Sequence, residues 1–134
     1  MNLPPFRNEP YADFTKPDVR KAQQEAIEAV RAQLGQEYDL RIAGERVRTG
    51  NLLKSVNPSR PSEVVGLHHK ADADLARKSV EKAVEAFPKW SHTLAEDRVR
   101  MLVRAAELIR KRKFEFNAWL AFEAGKTWPM GFRL

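Results

Sequence analysis

The residues of this chain that could perform chemistry are few and widely spaced. The chain has 134 residues and no Cys, which excludes a thiolate nucleophile, a disulfide scaffold and a thiolate metal site. Gly125-Lys126-Thr127 matches the end of a phosphate-binding loop. That loop needs a glycine where this chain has Leu120, and it follows a strand, whereas a helix is predicted here. We therefore expect no nucleotide phosphate site at this position.

Two further patterns are typical of catalysis or metal binding but lack the necessary partners. Ser79 and Lys82 have the serine–lysine spacing of penicillin-recognising enzymes, whose other motifs are missing, so we expect helix surface there. His68 and His69 are neighbours on a predicted strand and should point to opposite faces, which prevents joint chelation of a metal. No further Cys or His lies at ligand spacing. The sequence thus predicts no catalytic, cofactor-binding or metal-ligating residue in this chain.

The charge pattern favours a solvated surface over a polyanion-binding face. Lys and Arg number 24 and Asp and Glu number 18, a net charge of +6, which raises nucleic acid or an anionic membrane as partners. Acidic residues are interleaved, however, and Glu107 and Glu115 flank even the basic run 110–113 at helical spacing. No stretch approaches the ~18 apolar residues of a membrane span, and no signal core is visible. We expect a cytoplasmic protein with no membrane partner and no nucleic-acid partner.

The amino-terminal half is predicted to hold an arm, a helix and short strands. Prolines at positions 4, 5 and 10 predict an extended arm over residues 1–15. Apolar spacing of three and four predicts a helix over 16–34, with Thr15 as its N-cap and Gly35 as its C-cap. Residues 38–56 change to period two around turn candidates at 43–45 and 49–51, which predicts a meander of short strands. A proline-rich turn at 56–62 then precedes a further predicted strand over 63–68.

The carboxy-terminal half is predicted to hold two or three amphipathic helices. The first covers residues 72–87, begins at Asp72 and ends at Pro88. Its predicted buried stripe consists of Ala76, Val80, Ala83, Val84 and Phe87. A capping box at 93–96 predicts the start of the next helix, which reaches about residue 112. A last helical stretch, 114–124, follows a bend and ends at Gly125.

Several motifs, taken in order, resemble a known family. They are the opening 5–10 (Pro-Phe-Arg-Asn-Glu-Pro), the turn and strand 56–66 with Asn57-Pro58 and Glu63-Val64-Val65-Gly66, Ala86-Phe87 with Trp90, Asp97-Arg98, and Glu123-Ala124-Gly125-Lys126. Their order and spacing over residues 4–129 resemble the aldehyde dehydrogenase superfamily. The opening resembles one branch, the L-glutamate γ-semialdehyde (1-pyrroline-5-carboxylate) dehydrogenases.

The resemblance implies an α/β fold and an activity that this chain cannot complete. Full-length members use NAD to oxidise L-glutamate γ-semialdehyde to glutamate in proline breakdown, and are expected to be homo-oligomers. Residues 16–129 resemble only the segment before the dinucleotide-binding sheet, so the Rossmann sheet is expected to be missing. The catalytic cysteine, the other catalytic residues and the NAD-binding residues of the family have no matching positions here. The chain alone is therefore predicted to be inactive and to hold no cofactor.

The tail 130–134 departs from the resemblance and makes a third segment after the arm and residues 16–129. It suggests a truncated or frameshifted gene or an excised fragment. The alternative is a short relative of the family that has its own ending.

A second hypothesis for function is a small basic helical module that binds nucleic acid or a partner protein.

Overall fold

The structure, a computed structural model, describes Pro5 and residues 7–131, apart from the side chain of residue 130. Its elements are, in chain order, α1 (Pro17–Arg31), β1 (Gln36–Tyr38), β2 (Leu40–Ile42), β3 (Glu45–Val47), β4 (Leu52–Asn57), β5 (Arg60–His69), α2 (Ala73–Ser91), α3 (Ala95–Lys111), α4 (Lys113–Ala124) and α5 (Trp128–Gly131). This mixture confirms the predicted fold class. Part of the predicted arm (1–4 and 6) and of the predicted tail (132–134) lies outside the described residues.

The chain forms two compact units. Unit 1 combines the residues up to 33 with those from 95 onward, and unit 2 comprises residues 34–94. In unit 1, α1 and α5 both contact α4. The residues buried between them include two from α1 and three from α4: Gln23, Val30, Asn117, Ala118 and Phe122. Since the two buried residues of α1 are seven apart, they lie on one face of that helix.

Unit 2 is built on a three-stranded sheet with the order β1-β5-β4. The ten-residue β5 lies in the centre, antiparallel to β4 and parallel to β1. The parallel pairing begins where the Gly35 amide donates to the carbonyl of Val65 at 3.1 Å, which sets Gln36 beside Gly66. Strands β2 and β3 form a separate hairpin around the turn at Ala43 and Gly44.

The predicted meander is therefore wrong in its pairing, although its turns are confirmed. A meander pairs each strand with the next one in sequence. Here β1 pairs with β5, the last strand, and the hairpin between them belongs to a different sheet. Alternation in sequence identifies strands but carries no information on which distant strand will be the partner.

Some helix boundaries differ from the predictions, because the side chains expected to cap them form hydrogen bonds with other groups. The N-cap of α1 is Lys16, because the Thr15 hydroxyl donates to the Asp13 carboxylate at 2.6 Å. Asp72 caps α2 as predicted, accepting from the Leu75 amide at 2.8 Å. Pro88 does not end this helix, which runs one turn further. The next helix begins two residues after Thr93, whose hydroxyl donates to the Lys89 carbonyl instead of capping.

The stripe predicted to be buried on α2 is exposed. Val80, Val84 and Phe87 are 62–65% accessible, and no residue of α2 is fully buried. The half-buried positions of this helix are Leu75, Ser79 and Lys82. Leu75 and Lys82 lie on the side opposite the stripe, since each residue turns the helix by about 100°. The prediction failed because no described residue covers the stripe.

Among the described residues, no helix combines the length and the apolar character that crossing a membrane requires.

Candidate functional site

Three side chains that could ligate a metal meet in unit 2. Glu37 lies on β1, Asp39 follows that strand, and His69 ends β5, which pairs with β1 in parallel. One nitrogen of His69 and one oxygen of each carboxylate lie within 4.8 Å of one another. We call these three residues the His69 cluster. Sequence analysis missed it because partners for the histidines were sought only among Cys and His. The usable signal was the pair of acidic residues two apart, which a strand places on one face.

The hydrogen bonds of His69 define which ring nitrogen carries the proton. Nδ1 accepts from the backbone amides of Thr49 and Gly50, at 3.1 and 3.3 Å. Backbone N–H groups can only donate, so Nδ1 is unprotonated. The proton therefore lies on Nε2, which donates to the Glu37 carboxylate at 2.8 Å. The ring, only 3% exposed, ties the turn at 49–51 to β1.

Two guanidinium groups supply the positive charge that the carboxylates require. The Asp39 side chain is 7% exposed and accepts from Arg48 Nε at 2.7 Å, with Arg46 at 3.6 Å. Arg48 also lies 3.7 Å from Glu37. A buried carboxylate is stable only when it is paired, and a divalent cation would have to displace Arg48. The described contacts of the His69 cluster are thus hydrogen bonds and ion pairs within unit 2.

Unit 1 holds a second buried polar group. The Asn117 amide donates to Gln23 Oε1 at 2.7 Å and to the Trp128 carbonyl at 3.2 Å, linking α4 to α1 and to α5. Its own oxygen has no hydrogen-bond partner within the described part of the chain. That oxygen occupies the place that a Cβ on Gly131 would take. The close approach of α5 to α4 therefore depends on glycine at position 131.

The patterns that resembled catalytic motifs have structural roles. Gly125 adopts a left-handed conformation and ends α4, and the Lys126 amide donates to the Leu120 carbonyl at 3.3 Å. This closes a helix rather than forming a phosphate loop. The Ser79 hydroxyl donates to the Leu75 carbonyl at 2.8 Å. Lys82 donates to Glu85 at 2.6 Å, and this hydrogen bond raises the pKa of the lysine.

The remaining histidines have local partners. The ring of His68 stacks on that of Tyr38, with centroids 5.1 Å apart. His92 Nδ1 donates to the Pro88 carbonyl at 2.7 Å. The structure thus places the three histidines in three different environments.

Three of the four basic residues at 110–113 form ion pairs. Arg112 binds Glu115 with two hydrogen bonds of 2.8 and 2.5 Å, which lower the pKa of that carboxyl. Arg110 and Lys113 both lie within 3.5 Å of Glu9 on the amino-terminal arm. Their charge is therefore shared with carboxylates of the chain itself.

Unit 2 contains a strand-to-helix junction, the kind of place where dinucleotides bind. Residues 70–72 join β5 to α2 and include no glycine. The carboxylate of Asp72 already accepts from the amide of Leu75 at the helix start. A pyrophosphate at a helix start needs backbone amides that have no other acceptor, and it needs a close approach of the backbone. The carboxylate of Asp72 would also repel it. The described residues at this junction do not fit NAD.

Comparison with known proteins places the chain in a family. Residues 46–132 match the aldehyde dehydrogenase family, to which this chain belongs. It is 48% identical over 126 residues to 1-pyrroline-5-carboxylate dehydrogenase 1 of Halalkalibacterium halodurans, covering 94% of this chain. It is also 48% identical over 124 residues to the 1-pyrroline-5-carboxylate dehydrogenase of Geobacillus thermodenitrificans. The match covers 24% of each relative, so the chain spans about a quarter of their length.

Solved structures show the same correspondence. A Thermus thermophilus 1-pyrroline-5-carboxylate dehydrogenase variant superposes with a TM-score of 0.95 and 44% identity, covering 98% of this chain and 25% of that one. A Thermus 1-pyrroline-5-carboxylate dehydrogenase with bound NAD gives the same TM-score and covers 26% of that chain. The chain therefore has the fold of one quarter of these enzymes.

Proposed function

We propose that this chain supplies the amino-terminal scaffold of an NAD-dependent 1-pyrroline-5-carboxylate dehydrogenase, which oxidises L-glutamate γ-semialdehyde to glutamate. The observation that carries the proposal is 48% identity over 94% of the chain to a relative of that name. The TM-score of 0.95 over 98% of the chain supports the same assignment.

The residues of this chain contribute support rather than chemistry to that reaction. Oxidation of an aldehyde by covalent catalysis needs an activated nucleophile, which the family resemblance assigns to a cysteine, and the chain contains none. The junction at 70–72 does not fit a dinucleotide, as described above. The roles of the chain are structural. The His69 cluster holds β1 beside β5, and Gln23 and Asn117 hold α1 and α5 on α4. By itself the chain is inactive.

A hybrid enzyme tests this proposal. The matched quarter of the Halalkalibacterium halodurans relative is replaced by this chain, and NADH formation with 1-pyrroline-5-carboxylate is followed by absorbance. The expected result is turnover by the hybrid and none by the isolated chain. The relative without its first quarter is the matched control for the hybrid. A well-folded hybrid with no turnover, or turnover by the isolated chain, would contradict the proposal.

A further inference from the structure

A small cavity with a mostly apolar lining lies in unit 1. Its volume is about 250 Å³, and its apolar lining includes Ala106 and Ile109 of α3, Phe116 of α4 and Gly131 of α5. Ligand pockets are mostly apolar with a few polar groups, and those for drug-sized ligands begin at roughly 300 Å³. The cavity therefore suits a small ligand with an apolar part.

Two cations and one carboxylate complete the lining of this cavity, namely those of Arg110, Lys113 and Glu9. Arg110 Nε lies 3.1 Å from one carboxylate oxygen of Glu9, and Lys113 Nζ lies 3.5 Å from the other. Two positive charges thus meet one negative charge beside an apolar surface. The group as a whole attracts an anion.

The carboxylate of Glu9 can be displaced by another anion. Of residues 7–11 in the amino-terminal arm, Glu9 alone is half-buried. The Arg110 side chain is 55% exposed, and an ion pair in contact with water contributes little to stability. Glu9 and Arg110 also line a second cavity together with Arg7, which offers the displaced carboxylate both room and a cation.

We propose that Arg110 and Lys113 bind the carboxylate of a small amphiphilic acid, whose hydrocarbon part fills the cavity between α3 and α4. In this structure the Glu9 carboxylate takes the place of the ligand's carboxylate. The two cations favour an anion over a neutral molecule, and the apolar lining favours an acid with a hydrocarbon part over inorganic phosphate. This inference is independent of the proposed function, because it requires neither NAD nor an aldehyde.

Calorimetry of the full chain with octanoate tests the proposal, with octanol and inorganic phosphate as comparison ligands. Octanoate should bind saturably, and both comparison ligands should bind more weakly. Glu9→Gln removes the competing carboxylate and should tighten octanoate binding about two- to fivefold, whereas Arg110→Gln should weaken it by a similar factor. Lys111→Gln is the matched control, because it removes a charge from the same helix at an exposed residue that does not line the cavity. Its dissociation constant for octanoate should equal that of the wild type.

The comparison ligands and variants give outcomes that would overturn the proposal. Octanol binding as tightly as octanoate would show that exposed apolar surface alone takes up the ligand. Phosphate binding as tightly would show an anion site that does not use the cavity. No saturable binding of octanoate, or the same octanoate affinity in Glu9→Gln and the wild type, would also overturn it. Because Glu9→Gln should gain affinity for octanoate and none for octanol, loss of folding cannot produce the expected result.

Discussion

Two substitutions of His69, to Asn and to Gln, each preserve the role of one ring nitrogen. Together they separate the hydrogen bonds made by Nδ1 from the one made by Nε2. In His69→Asn the side-chain oxygen can take the place of Nδ1 and accept from the amides of Thr49 and Gly50. In His69→Gln the side-chain NH₂ can take the place of Nε2 and donate to Glu37. Each variant therefore keeps one set of hydrogen bonds and loses the other.

The two losses differ because the partners differ in exposure. The Glu37 side chain is 39% exposed and keeps Arg48 nearby, so water can replace the bond that His69→Asn removes. Thr49 is half-buried, and leaving a buried amide without an acceptor costs about 1–3 kcal/mol. Both variants also leave a gap where a nearly buried ring was. We expect each to lower the free energy of unfolding by about 1–3 kcal/mol.

The decisive measurement is therefore local. Amide hydrogen exchange at Thr49 and Gly50 should remain near the wild-type rate in His69→Asn. In His69→Gln it should accelerate roughly five- to tenfold, which corresponds to a net hydrogen bond of about 1 kcal/mol. Equal exchange rates in the two variants, or faster exchange in His69→Asn, would refute the assigned tautomer and the role given to Nδ1.

Four further outcomes are expected. The isolated chain should form no NADH with 1-pyrroline-5-carboxylate, and calorimetry should find no dissociation constant for NAD below about 1 mM, a binding free energy of roughly −4 kcal/mol. Gly131→Ala should cost about 1–3 kcal/mol in urea unfolding, because the new Cβ meets the Asn117 oxygen, whereas Thr127→Ala should cost little. The hydrogen bond to Arg112 lowers the pKa of the Glu115 carboxyl, so this pair stabilises the fold above the ordinary pKa of 4.5 and stops doing so as the pH falls through the lowered pKa. Glu115→Gln should therefore lose helical dichroism at neutral pH and match the wild type in acid. The isolated chain should bind an apolar dye and melt over a broad range, and a sharp melt without dye binding would contradict this.

The sequence was sufficient for the features that depend on neighbours in the chain. Asp72 was recognised as an N-cap and Gly125 as a helix end, because both depend on the backbone groups within a few residues. The aldehyde dehydrogenase resemblance is confirmed, because motifs in a fixed order can be recognised from the sequence without knowing how they pack. The stripe on α2 was also recognised as apolar, but its burial was wrong, because periodicity identifies an apolar face and not what covers it.

The features that the sequence could not provide depend on residues far apart in the chain. His69 and Glu37 are 32 positions apart, and Asn117 and Gln23 are 94 apart. Each pair exists only because two elements meet, and no local pattern records the meeting. The same reasoning explains why Gly131 was overlooked. The residues around Gly131 show no constraint on this glycine until the Asn117 amide is placed against it, and only then does its missing Cβ become a requirement of the fold.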